Sequence, residues 1–131
     1  MLKGFWPYTP LIGKSFELGS ELLGVTDWME AEVPGGVHAD LIKNCLIDDP
    51  YFEQNSLKCE WVENRWWMYE TDFIPHSSIR SKRLKLIFKG LDYKAHIYLN
   101  NEKLGIHEGM FSEAVFDITG LLSFTGTNKV T

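Results

Sequence analysis

Carboxylates are the first residues in this chain whose type and spacing could do chemistry. Asp48 and Asp49 stand side by side, and Glu60 and Glu63 follow shortly after. Two carboxyl groups about 5–5.5 Å apart across one acetal bond can cleave it by double displacement. Adjacent side chains rarely converge on one bond, and Asp49, placed before Pro50, reads as a turn former. Glu60 and Glu63 flank the expected start of a strand and read as solvated. No catalytic residue is assigned. His38 has no second His or Cys at metal spacing and reads as a hydrogen-bonded structural histidine. His76, His96 and His107 fall on loop or outward positions. No metal site is assigned, no nucleotide motif of the Gly-rich or Walker type occurs, and no cofactor is implied.

The segment Asp49–Asn55 is the best local candidate for function. It sets a carboxylate, two aromatic rings (Tyr51, Phe52), Glu53, Gln54 and Asn55 on irregular backbone. Planar hydrogen-bonding groups beside a ring suit a sugar, which presents hydroxyls on its edges and an apolar C–H face. Asp49, Tyr51, Glu53 and Asn55 are therefore candidate substrate contacts, with Trp66 added from the weaker Glu63–Trp67 stretch. The competing reading has Pro50, Tyr51 and Phe52 simply pinning the loop to the body of the domain.

Those residues need a scaffold, and composition allows one. The 131 residues are a single-domain length able to bury a core. Hydrophobic residues make up 44% and charged residues 24%, ordinary globular values. Aromatics reach 14% with five Trp, most of them expected in a core. The formal net charge is −5 and there is no basic stripe, which argues against nucleic acid. No apolar run approaches the roughly 20 residues of a membrane helix. The N-terminus lacks the apolar core of a secretion signal, so a cytoplasmic location is expected. Cys45 and Cys59 are too few for a disulfide scaffold and are expected as free thiols.

The scaffold reads as all-β. Residues 1–12 look irregular, since Pro7 and Pro10 interrupt them. A first strand is expected over Ser15–Leu18 and another over Trp28–Val33, stopped by Pro34-Gly35-Gly36. Val37, Leu41, Ile42 and Cys45 share a helical face, which predicts one short helix over Val37–Cys45. A loop then runs to about Glu60, and strands follow from Trp61. Alternation is clear in Trp67–Ile74, Leu84–Lys89, Ala95–Leu99, Lys103–His107 and Ala114–Ile118, with Asn100-Asn101 as a hairpin turn. Lys129–Thr131 reads as the opening of a strand whose continuation is missing, or as a short terminal edge strand. Short alternating strands with regular turns predict an antiparallel β-sandwich.

The ordered set Pro34-Gly35-Gly36-Val37-His38, Ile47-Asp48-Asp49-Pro50-Tyr51, Tyr69-Glu70-Thr71-Asp72-Phe73, Phe88-Lys89-Gly90-Leu91-Asp92, Ile97-Tyr98-Leu99-Asn100, Leu104-Gly105 and Phe116-Asp117-Ile118-Thr119 resembles the N-terminal sugar-binding domain of glycoside hydrolase family 2. The first two elements are most similar to its β-mannosidase branch. The resemblance implies a jelly-roll topology of the galactose-binding type. It implies a truncated piece of a longer retaining glycosidase, inert alone because the catalytic glutamates sit in a later barrel domain. That barrel and a carbohydrate are the implied partners. Relatives in the resembling family often carry an acidic residue where Arg65 or Trp66 stands, which weakens any ligand contact carried over there. A stand-alone carbohydrate-binding module, with Trp66 and Trp28 as its platform, and a structural domain of a β-galactosidase or β-glucuronidase are the alternatives.

Overall fold

The computed structural model describes residues 2–5, 28–63 and 66–131. The strand expected over Ser15–Leu18 lies outside them. The chain divides into two compact units, Met1–Glu70 and Thr71–Thr131.

In the first unit β1 (Leu2–Phe5) pairs antiparallel with β2 (Trp28–Ala31), in register from Leu2↔Ala31 to Phe5↔Trp28. The expectation of an irregular N-terminus over residues 1–12 is thus corrected at Leu2–Phe5, and its remainder lies outside the described residues. Pro7 removes its own N–H and restricts the residue just before it, so Leu2–Phe5 remain free to donate ladder hydrogen bonds. After β2 the chain turns at Pro34-Gly35. A Cβ on Gly35 would collide with the carbonyl oxygen of Glu32, so the turn admits only glycine there.

Helix α1 spans Val37–Lys43, two residues shorter than the pattern predicts. Its end explains the difference. Cys45 takes a left-handed conformation (φ 57°). Its N–H donates to Ile42 O at 2.9 Å, and the N–H of Leu46 donates to Leu41 O at 2.9 Å. These two bonds close the helix in the manner of a Schellman motif, with cysteine at the position glycine usually fills. Cys45 is consequently exposed rather than on the apolar face. Leu41, fully buried, forms the core of this unit with Cys59 and Val62, and Met29, Val37, Ile47 and Trp67 pack around them.

The expected single helix is joined by a second helical turn, α2 (Asn55–Lys58), and by a 3-10 turn at Glu60–Val62 where a strand was expected to begin. The physical reason is visible in the burial. Asn55, Cys59 and Val62 are the buried residues of this stretch, a spacing of four and three that fits a helix and not a strand. Trp67 Nε1 donates to Val62 O at 3.0 Å and closes the segment.

Strand β3 (Tyr69–Phe73) begins in the first unit and continues into the second. The second unit holds β4 (Lys85–Phe88), β5 (Lys94–Leu99), β6 (Glu102–Glu108), β7 (Ala114–Asp117) and β8 (Asn128–Val130). One sheet runs β3-β8-β5-β6, and β4 pairs with β7, all antiparallel. Leu99, Ile118 and Val130 are the buried centre, with Phe73, Leu84, Leu86, Phe88, Leu104 and Phe116 packed on them. The two sheets thus face each other across one core, the predicted antiparallel sandwich. Alternation delivers it: in β4 Leu86 and Phe88 turn inward while Lys85 and Ile87 stay outside. Gly105 permits the close approach of Phe116, whose Cε1 would lie 2.8 Å from any Cβ there.

The Asn100-Asn101 turn forms as read, both residues at positive φ (52° and 68°). β8 is not an edge strand. It lies between β3 and β5, with Thr71↔Val130 on one side and Leu99↔Val130 on the other. Asn128, wholly buried, anchors its start. Its Oδ1 accepts from Asn100 Nδ2 (2.9 Å) and Ser123 N–H (2.8 Å), and its Nδ2 donates to Ser123 O (2.8 Å).

Candidate functional site

The candidate loop is built from the helix end upward. Asp40 is 4% exposed, in the first turn of α1. Its Oδ1 accepts from the Glu32 N–H at 2.9 Å and its Oδ2 from the Tyr69 hydroxyl at 2.9 Å. Burial, the hydrogen bond to Asp40 and the charge of that carboxylate, in that order, hold the Tyr69 phenol protonated well above its ordinary range. Asn44 Nδ2 donates to Glu30 O (2.9 Å) and Asp40 O (2.7 Å). The helix is thereby tied to β2 and to the start of β3, and its capped end launches the loop from a fixed point.

Within the loop Asp49 forms an Asx-turn, its Oδ1 accepting from Tyr51 N–H at 2.9 Å. The Phe52 N–H donates to Asp49 O at 3.1 Å. Asn55 is buried, and its amide is engaged on both sides: Nδ2 donates to Asp49 O at 3.2 Å and Oδ1 accepts from Lys58 Nζ at 3.0 Å. Tyr51 is 98% exposed and Phe52 63%, so neither ring pins the loop to the body of the unit. Glu53 is exposed, with a left-handed backbone (φ 50°).

The structure therefore brings Asp49, Tyr51, Glu53 and Asn55 together on one hydrogen-bonded loop. Trp66 lies half-buried on a separate stretch, past the 3-10 turn. Beside the loop opens a cavity of about 200 Å³ lined by Cys45, Leu46, Ile47, Asp48, Asn55, Lys58 and Cys59. Sequence reasoning missed Lys58, whose ammonium is held at this wall by Asn55. The only signal was the i, i+3 spacing of the two residues. Among the described residues no group of three or more His, Cys, Asp or Glu is placed to hold a metal ion. The loop and the cavity wall beside it offer a carboxylate, an ammonium and an exposed phenol ring. No helix of the described residues is long and apolar enough to cross a membrane.

Comparison with known proteins places this geometry in context. The family model described as "Glycosyl hydrolase 2 galactose-binding domain-like" matches residues 16–131. The chain is 37% identical over 103 residues to a β-mannosidase of Rattus norvegicus, covering 78% of this chain and 12% of the rat protein. It is 30% identical over 105 residues to β-mannosidase A of Emericella nidulans, covering 80% of this chain and 11% of that protein. The crystal structure of a β-D-mannosidase from Dictyoglomus thermophilum superposes with a TM-score of 0.81 at 31% identity, over 99% of this chain and 14% of that one. The chain thus spans about an eighth of the length of the relatives it matches.

Proposed function

This chain belongs to the glycosyl hydrolase 2 galactose-binding domain-like family, and we propose that it serves as the N-terminal accessory domain of a retaining, β-mannosidase-like glycosidase. In this reading the two catalytic carboxylates reside in a barrel domain of the same polypeptide, and the 131-residue chain alone does not turn over substrate. Retaining hydrolysis runs on carboxylates and requires no cofactor. The domain packs on the barrel and contributes the Asp49–Asn55 loop to the rim of the pocket for a terminal β-linked sugar.

The observation that carries the reading is the fully exposed Tyr51 ring, on backbone fixed by the Asp49 Asx-turn and flanked in sequence by Asp49 and Glu53. Tyr51 meets a sugar C–H face, Asp49 and Glu53 accept from hydroxyls, and Asn55 fixes the loop through Asp49 and Lys58. Trp66 contributes from its own stretch. The β-mannosidase relatives supply the substrate class. A second reading, a purely structural docking domain, draws on the exposed apolar trio Tyr51, Phe52 and Leu57.

Kinetics of the full-length polypeptide on an aryl β-mannoside separate the two. A Tyr51 ring stacked on substrate contributes roughly 0.5–1.5 kcal/mol, so Tyr51→Ala raises KM about two- to tenfold with kcat little changed. An unchanged KM together with loss of domain association supports docking alone.

A further inference from the structure

We propose that Arg80, Lys82, Arg83 and Lys85 form a docking patch for an acidic polysaccharide, a glycan chain bearing sulfate or carboxylate groups. The charge distribution singles this segment out. The chain as a whole carries a formal net charge of −5, yet four of the six residues Arg80–Lys85 are cationic and no carboxylate occurs between Asp72 and Asp92. All four cationic side chains are exposed. Among the described residues the ion pairs join Lys43 to Glu32 and Lys94 to Glu108, and none involves these four.

The backbone under the patch is fixed at both ends. A 3-10 turn, Ser77–Ile79, opens at His76, whose ring accepts from the Ser78 N–H at 3.2 Å. The Arg80 N–H donates to Ser77 O at 3.2 Å and the Lys82 N–H to Ile79 O at 3.0 Å. Arg80 Cζ lies 5.9 Å from the centroid of the Phe124 ring, a cation–π contact that orients the guanidinium. The chain then enters the sheet: the Leu84 N–H donates to Thr119 Oγ1 at 2.9 Å, and Leu84 O accepts from the Ile118 N–H at 3.0 Å. Leu84 and Leu86 pack on the core, so Arg83 and Lys85, on either side of Leu84, project from the opposite face. Both act on Asp117, the register partner of Lys85. Hydrogen bonds from Thr119 come first in holding that carboxyl below its ordinary range, and Lys85 and Arg83 add to them. Two cations against this carboxylate leave the patch positive.

A Lys- and Arg-rich segment of this length is the footprint of a polyanion site. Guanidinium forks bind the paired oxygens of an acid group, and the lysines add point charges. The patch is compact and lacks the extended basic stripe of a nucleic-acid surface. The choice of a glycan rests on the accessory-domain reading above. A second hold on the polymer that carries the substrate raises the local concentration of cleavable ends.

The test titrates the full-length polypeptide that carries this chain with heparin, a sulfated probe, and with polygalacturonate, a carboxylated one, by calorimetry at low and high salt. Saturable binding to either, weakened by salt, is expected, and the preferred probe names the acid group. Arg83→Gln and Lys85→Gln each weaken it about two- to fivefold, as for an exposed ion pair. Lys43→Gln with Lys94→Gln removes two cations already paired with Glu32 and Glu108, and shifts binding by less than about twofold. Acetylation mapped by mass spectrometry on the unsubstituted protein gives a readout that needs no variant: the bound glycan protects Lys82 and Lys85. Aryl β-mannoside hydrolysis is unchanged by Arg83→Gln and Lys85→Gln, so loss of the patch and loss of the glycosidase reading are separate results. Absence of binding to both glycans, an equal loss in the Lys43 and Lys94 variant, protection confined to other lysines, or tighter binding to polyglutamate or duplex DNA overturns the proposal.

Discussion

Replacing Asp40 by alanine tests how the candidate loop is positioned. The carboxylate is buried and accepts two hydrogen bonds, from the Glu32 N–H and the Tyr69 hydroxyl, each 2.9 Å. Hydrogen bonds to a charged group contribute about 1.5–3 kcal/mol each. Removing the charge relieves part of its desolvation cost, which offsets some of that loss. The expected net destabilisation is about 3 kcal/mol, or roughly 10 °C in Tm for a domain of this size. Tyr69→Phe removes one of the two bonds and leaves one carboxylate oxygen without that donor, an expected loss of about 2 kcal/mol. The double variant loses less than the sum of the two, with a coupling of about 1–2 kcal/mol. Urea unfolding followed by tryptophan fluorescence reads all three. A pH series adds an independent sign. The Tyr69 pKa is raised in the folded state by burial first and then by Asp40, from an ordinary value of 10.0. The proton is held more tightly folded than unfolded, so this contribution is fully present below pH 10.0 and is lost as pH rises above it. The alkaline loss disappears in Tyr69→Phe. A cost below about 1 kcal/mol for Asp40→Ala, or strict additivity of the two single variants, refutes the reasoning.

Three further outcomes follow from the same packing. Asn128→Ala removes one of the two partners of Asn100 Nδ2 and the side-chain partners of the Ser123 N–H and carbonyl, and is expected to cost about 3 kcal/mol in urea unfolding. Cys45→Gly relieves a left-handed backbone and is expected to stabilise by about 1 kcal/mol, while Cys45→Val at the same φ of 57° destabilises, both read by Tm. The His96 pKa is lowered by burial and then by Lys103 and Lys94, so its neutral form favours the folded state. That contribution is present above pH 6.5 and is lost as pH falls through the lowered folded value, and His96→Gln flattens the acid limb of stability against pH.

Much of the second unit was legible in the sequence because strand alternation is a local signal. Leu86 and Phe88, and Ala114 and Phe116, face the core as their period-two spacing implies, whereas in β5 the alternation breaks down and Ile97, Tyr98 and Leu99 are all buried. The Asn100-Asn101 turn declared itself through residues that tolerate positive φ. The first unit was harder. Strand β1 was masked by the two prolines after it, although neither lies within it. Asn55, Cys59 and Val62 carried a helical spacing too brief to stand out against the preceding turn residues. The role of Asp40 depends on Tyr69, 29 positions away, and no local pattern encodes that contact. At the candidate loop, residue types pointed to sugar chemistry, but only the geometry shows that the Tyr51 ring is free while the Asn55 amide is spent on the fold.

The most direct test of the central claim is the hydrolysis of a panel of aryl β-glycosides by the full-length polypeptide that carries this chain, with the 131-residue chain assayed beside it. The account predicts that the full-length protein cleaves the β-mannoside in preference to the β-galactoside and β-glucuronide, with retention at the anomeric carbon, while the 131-residue chain is inert. Cleavage of a different β-glycoside in preference, inversion, or turnover by the 131-residue chain alone contradicts it.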